Sequence, residues 1–85
     1  MLNAIFVRGL SERLNTLVKT ESNQHLQDIL ISIDYNRLDD MFYLLEVLNI
    51  LERCSTLTNS FFTRVEYESL ITDLYSSINV SATLN

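Results

Sequence analysis

The sequence predicts an all-α protein: a small antiparallel bundle of about four helices with a buried central helix. The 85 residues include no proline and a single glycine, Gly9, so the residues that turn β-hairpins are scarce. Hydrophobic residues make up 47% of the chain, which is enough for a compact core and atypical of disorder. A chain of this length forms one domain, which we expect over residues 1–79, followed by a flexible tail over 80–85.

The first predicted helix covers about residues 2–19, because apolar side chains recur there with a period of 3.6 residues. These side chains are Leu2, Ile5, Phe6, Leu10, Leu14, Leu17 and Val18. A polar break follows, and either Ser22 or Asn23 is placed to cap the next helix with a side-chain oxygen.

A second helix is expected over residues 26–33. Apolar residues stand there at positions i, i+3, i+4 and i+7, which places them on one helical face. The segment is rich in β-branched residues, so a strand or an ordered loop is the alternative. We favour the helix because the rest of the sequence offers no partner strand.

Residues 38–53 form the predicted central helix. Asp39, Glu46 and Arg53 fall on one narrow exposed line, and apolar residues cover most of the remaining circumference. A helix of this composition needs burial on several sides. Asn36 is the expected N-cap.

The last helix is predicted to start at Thr63, after a linker over residues 55–60. Thr63 and Glu66 have the spacing of a capping box, and Phe62 and Tyr67 have the spacing of a hydrophobic staple. The apolar face then continues through Leu70, Ile71, Leu74 and Ile78.

Charge and composition weigh against several functions. The net charge is −5, which disfavours nucleic acids and anionic membranes as partners. The one histidine, His25, and the one cysteine, Cys54, belong to no motif with metal-ligand or catalytic spacing, and we interpret Cys54 as a small buried hydrophobe. We therefore predict no enzyme activity, no catalytic residues, no metal and no cofactor. The first residues lack the pattern of a secretory signal, so we expect a cytoplasmic protein.

The aromatic residues indicate a protein partner. We expect three neighbouring helices to cover only part of the aromatic surface of this chain, and aromatic residues are enriched at interface cores. The candidate partner-binding residues are Tyr35, Phe42, Tyr43, Phe61 and Phe62. We expect a non-catalytic interaction module (an adaptor, chaperone or inhibitor) that binds another protein, or a second copy of itself as a homodimer. The alternative is an ordinary bundle with every aromatic ring inside.

The central helix also resembles part of a known family. The residues Asn36-Arg37-Leu38-Asp39-Asp40-Met41, followed by apolar Leu44, Val47 and Leu51, resemble the start of the second helix of acyl and peptidyl carrier domains. Residues 68–74 resemble the start of that family's last helix. Arg37 stands where the serine that bears phosphopantetheine would be. The resemblance therefore implies a degenerate carrier retained for protein binding, and a long loop in place of a helix at residues 26–33 would favour it.

Overall fold

The computed structural model describes residues 4–84, and the side chains of residues 4–80. Four α-helices make up most of this part of the chain: α1 (Ala4–Thr20), α2 (Gln24–Ile31), α3 (Met41–Leu57) and α4 (Phe61–Leu84). A short 3-10 turn, Tyr35–Arg37, lies between α2 and α3, and residues 4–84 contain no strand. The predicted all-α bundle is confirmed. Leu2 and Asn85 lie outside the described residues.

The helices are arranged in a ring around the core. Helix α1 packs against α2 and α4, and α3 packs against α2 and, most extensively, against α4. The connections α1–α2 and α3–α4 lie at the same end of the bundle, where Thr58 and Tyr67 both donate hydrogen bonds to Glu21. We call this the Glu21 end.

Helix α3 contributes more buried side chains than any other helix among the described residues, as its apolar circumference predicts. Asp39, Glu46 and Arg53 are exposed as expected. The predicted bounds 38–53 were too early at both ends. The N-cap is Asp40, not Asn36: its carboxylate accepts hydrogen bonds from the backbone N–H of Phe42 and Tyr43, a favourable place for negative charge.

The segment around residues 26–33 is helical, so the strand and loop alternatives are wrong. Asn23 rather than Ser22 is the N-cap of α2, because its side-chain oxygen accepts a hydrogen bond from the N–H of Leu26 at 3.1 Å. Leu26, Leu30 and Ile33 are buried, the last just beyond the end of the helix.

Helix α4 starts earlier than predicted. Ser60 is positioned as its cap: the Ser60 hydroxyl accepts a hydrogen bond from the N–H of Thr63 at 3.2 Å, and its carbonyl accepts one from the N–H of Arg64. The predicted capping box is wrong because Thr63 lies inside the first turn, where its buried hydroxyl donates to Ser60. The predicted staple is also wrong, because Tyr67 is buried while Phe62 is exposed.

The predicted linker and tail differ from the observed ends of the helices. Residues 55–57 belong to α3, so the connection to α4 is shorter than expected. Helix α4 continues to Leu84. The predicted flexibility of residues 80–85, like the domain bounds, stays a prediction.

Two adjacent leucines of α3 test the packing of the core. Leu44 is fully buried, whereas Leu45 is 44% exposed. We expect Leu44→Ala to lower the free energy of unfolding by about 2–5 kcal/mol, because it removes buried methyl groups and leaves a cavity. Leu45→Ala is the matched control, with an expected loss of less than about 1 kcal/mol. Urea unfolding of both variants measures the difference, and equal losses would contradict this packing.

Candidate partner-binding surface

The five predicted partner-binding aromatics differ in their exposure. Phe42, Phe61 and Phe62 are 82%, 70% and 83% exposed, and Tyr35 is 37% exposed. Tyr43 is buried, with 7% of its surface exposed. Four of the five rings are therefore at least partly open to solvent, and one belongs to the core.

Tyr43 stabilises the turn that precedes α3. Its hydroxyl accepts a hydrogen bond from the backbone N–H of Asp34 at 2.7 Å. The guanidinium of Arg37 lies over its ring, 4.2 Å from the centroid, which is within range of a cation–π interaction. Tyr43 therefore does not share a surface with the exposed aromatics.

The exposed phenylalanines lie at opposite ends of α3. Phe42 is in its first turn, whereas Phe61 and Phe62 follow its last turn after a three-residue connection. A rise of 1.5 Å per residue puts roughly 24 Å between the two ends of the helix. The sequence brought these residues together as one candidate set, but the structure divides them into two separate surfaces.

A groove lies beside Phe61 and Phe62, between the end of α1 and the start of α4. We call it the Phe62 groove. It has a volume of about 440 Å³. Its lining residues are Thr16, Thr20, Phe61, Phe62, Thr63, Val65 and Glu66. The two phenylalanine rings meet edge to face, with centroids 5.9 Å apart, and Val65 is also exposed, so the groove offers a mostly apolar surface.

A buried carboxylate joins the elements that form this groove. Glu21, directly after Thr20, is only 3% exposed. Its carboxylate accepts hydrogen bonds from the Tyr67 hydroxyl at 2.6 Å, the Thr58 hydroxyl at 3.2 Å and the backbone N–H of Asn23 at 3.2 Å. These bonds join the α1–α2 connection, the α3–α4 connection and α4.

The local sequence around Glu21 does not predict this network. Glu21 stands in a polar break, where local sequence predicts a solvated side chain. The one available signal was Tyr67, because a tyrosine on an apolar helix face needs a partner for its hydroxyl once it is buried.

Arg64 completes the junction between α3 and α4. Its guanidinium donates from Nε to the carbonyl of Ser55 at 2.9 Å and from a terminal nitrogen to the carbonyl of Thr58 at 2.6 Å. The last carbonyls of a helix lack partners within the helix, and a basic side chain satisfies them well. The hydrogen bonds between Arg64 and the carbonyls of Ser55 and Thr58 therefore hold the backbone that carries Phe61 and Phe62 in place.

The electrostatics of the Glu21 network favour a structural role for Tyr67 and Cys54 over a chemical one. Burial, together with the hydrogen bond to Glu21, raises the pKa of Tyr67 far above its ordinary value. Burial, and next the charge of Glu21, raise the pKa of the Cys54 thiol. Cys54 is fully buried, as predicted, and a buried thiol with a raised pKa is a poor nucleophile.

The described residues contain no group of three or more His, Cys, Asp or Glu placed to hold a metal ion. His25 is exposed at the start of α2. Within residues 4–84, no helix has the length and apolarity needed to cross a membrane.

The carrier-like segment is built around Arg37, which lies exposed in the 3-10 turn and stacks on Tyr43. Helix α2 occupies the segment where a long loop would have favoured the carrier interpretation. The resemblance itself stays a prediction.

No protein-family model, curated protein or solved structure matches the chain.

Two tyrosines of α4 test the Glu21 network. Both donate a hydroxyl hydrogen bond to a glutamate: Tyr67 to buried Glu21, and Tyr75 to Glu52 at the surface, at 3.1 Å. We expect Tyr67→Phe to lower the free energy of unfolding by about 1.5–3 kcal/mol, because a buried carboxylate loses a donor. Tyr75→Phe should change it by less than about 0.5 kcal/mol. Equal effects in urea unfolding would contradict the network.

Stability should also fall at alkaline pH. The folded pKa of Tyr67 lies above the value of about 10 expected for an unfolded chain, so its stabilising contribution is complete below pH 10 and declines above it. Cys54 acts in the same direction, because its pKa is also raised. Its effect begins at a lower pH, because the ordinary pKa of a thiol lies below that of a tyrosine. The urea midpoint of unfolding, measured from neutral to alkaline pH, should decline less steeply with pH for Tyr67→Phe than for the wild type. Parallel curves would contradict this role of Tyr67.

Proposed function

We propose that the protein is a non-catalytic interaction module of the adaptor, chaperone or inhibitor type, which binds another protein through the Phe62 groove. The observation that carries the proposal is the exposure of two adjacent phenylalanines, Phe61 and Phe62, beside an apolar groove. Exposed aromatic surface next to a concave site is typical of a protein interface.

The rigidity of this surface supports the proposal. The Glu21 hydrogen bonds and the Arg64 contacts hold both walls of the groove before any partner arrives. Binding to a preformed surface costs less ordering entropy than binding to a mobile one. More of the free energy gained by burying a phenylalanine in a partner's pocket then remains to stabilise the complex.

The chemistry of the side chains also supports a binding role. The single cysteine is buried with a raised pKa, and the tyrosine beside it is committed to Glu21. An enzyme would need such a thiol or hydroxyl in an open site, whereas here both groups are part of the core. The proposed activity is therefore recognition and not transformation of a partner.

Site-specific photo-crosslinking tests the proposal. A photoreactive phenylalanine analogue is placed at position 62, or at position 42 as the matched control, in the full chain expressed in its native cells. The two positions are almost equally exposed, but only Phe62 lines the groove. We expect a discrete adduct with one protein from position 62 and not from position 42.

The crosslinked protein is then purified and its affinity measured directly. Phe62→Ser should weaken binding about 30-fold, as expected for an aromatic hot spot, and Phe42→Ser should leave it within about twofold. Absence of a position-specific adduct, or equal loss of affinity in both variants, would overturn the proposal.

A further inference from the structure

We infer that the groove between α1 and α4 binds a basic amphipathic helix of another protein. This inference rests on the proposed function and specifies the partner. Three features support it: the extent of the surface between the two helices, the open space at Gly9 and the carboxylates near the groove.

The surface between α1 and α4 is concave at a second place beyond the Phe62 groove. A second cavity of about 360 Å³, which we call the Gly9 cavity, lies further along the same two helices. Helix α1 contributes Phe6, Gly9 and Arg13 to its lining, and α4 contributes Asp73, Leu74 and Ser77. From Phe6 to Thr20 the two cavities span roughly 21 Å of α1, the length of about four helical turns.

Gly9 leaves room for the backbone of an incoming helix. A Cβ atom added to Gly9 would meet no atom within 4 Å, so the wall is open there. Arg13 and Asp73 both line the Gly9 cavity, and Arg13 donates hydrogen bonds to Asp73 and Ser69 of α4. These side chains are partly exposed, so solvent screens their attraction and the bridge costs little to rearrange.

The architecture favours a helix as the occupant. Both walls are α-helices, and the described residues contain no sheet edge to which an extended peptide would add as a strand. Recognition must therefore come from side chains, and an amphipathic helix in a groove is the peptide-binding mode that uses side-chain anchors at helical spacing.

The unpaired carboxylates near the Phe62 groove favour a basic occupant. Glu66 lines the Phe62 groove, one helical turn after Phe62. Glu12 is exposed one turn before Thr16, whose hydroxyl bonds to the Glu12 carbonyl. Among the described residues neither carboxylate forms an ion pair, whereas Arg13 is paired with Asp73. Lysine or arginine flanking an apolar stripe would complement both carboxylates.

The same charges disfavour a second copy of this chain. Each copy carries a net charge of −5, so two copies repel each other over the distances at which charge steers association. A basic partner is attracted by the same field.

Synthetic peptides of about 14 residues test the inference with the full-length protein. The first peptide places leucines at i, i+3, i+4 and i+7 and fills the other face with lysine and alanine. The second replaces each lysine with glutamate, and the third scrambles the first. We expect only the first to bind in fluorescence anisotropy, and to shift the amide NMR signals of Gly9 and Phe62.

Matched variants separate the groove from general charge attraction. Phe62→Ser should weaken binding of the first peptide about tenfold, and Phe42→Ser should leave it within about twofold. Glu66→Gln should weaken binding about threefold, whereas Glu46→Gln, which changes the net charge equally on the exposed face of α3, should not.

Four outcomes would overturn the inference: no binding of the lysine peptide, equal binding of the glutamate peptide, equal effects of the Phe42 and Phe62 variants, or a stable dimer in sedimentation that the lysine peptide does not dissociate. Failure of the peptides is distinguishable from failure of the proposed function. A position-specific crosslink at residue 62 without peptide binding would leave an interaction module whose partner has a different chemistry.

Discussion

The Glu21 carboxylate is the constraint on which one end of this bundle depends. A buried charge without a cation is unfavourable unless several donors reach it together. The donors Thr58 and Tyr67 are 37 and 46 residues away in sequence, so the carboxylate is satisfied only when both helix connections and α4 have met. This requirement couples the docking of α1 against α4 to the turn between α3 and α4.

The same constraint orients the exposed aromatic residues. Thr63 and Tyr67 occupy the inner face of the start of α4, and successive residues of a helix point about 100° apart. Phe61 and Phe62 must then face outward. Their exposure follows from the placement of polar partners inside, and it leaves an aromatic surface on a rigid support, the arrangement that the proposed interaction requires.

The carrier-like pattern illustrates how little a short apolar repeat specifies. Met41, Leu44, Val47 and Leu51 follow helical spacing because α3 must bury one face, and many small bundles meet that need in the same way. What distinguishes this chain is the set of polar contacts around the pattern: the Asp40 cap, the Arg37–Tyr43 stacking and the Glu21 network.

The sequence by itself determined the all-α class, the position of α1, the existence of α2 and the burial of α3, because helical periodicity is a local property of neighbouring residues. It did not determine which of several nearby polar residues caps a helix: the local pattern favours Asn36 and Thr63, whereas Asp40 and Ser60 are in the cap positions. Only the tertiary structure decided that Tyr43 is buried beside exposed Phe42 and that Glu21 belongs to the core. These outcomes depend on contacts between residues far apart in the chain, and no local pattern encodes them.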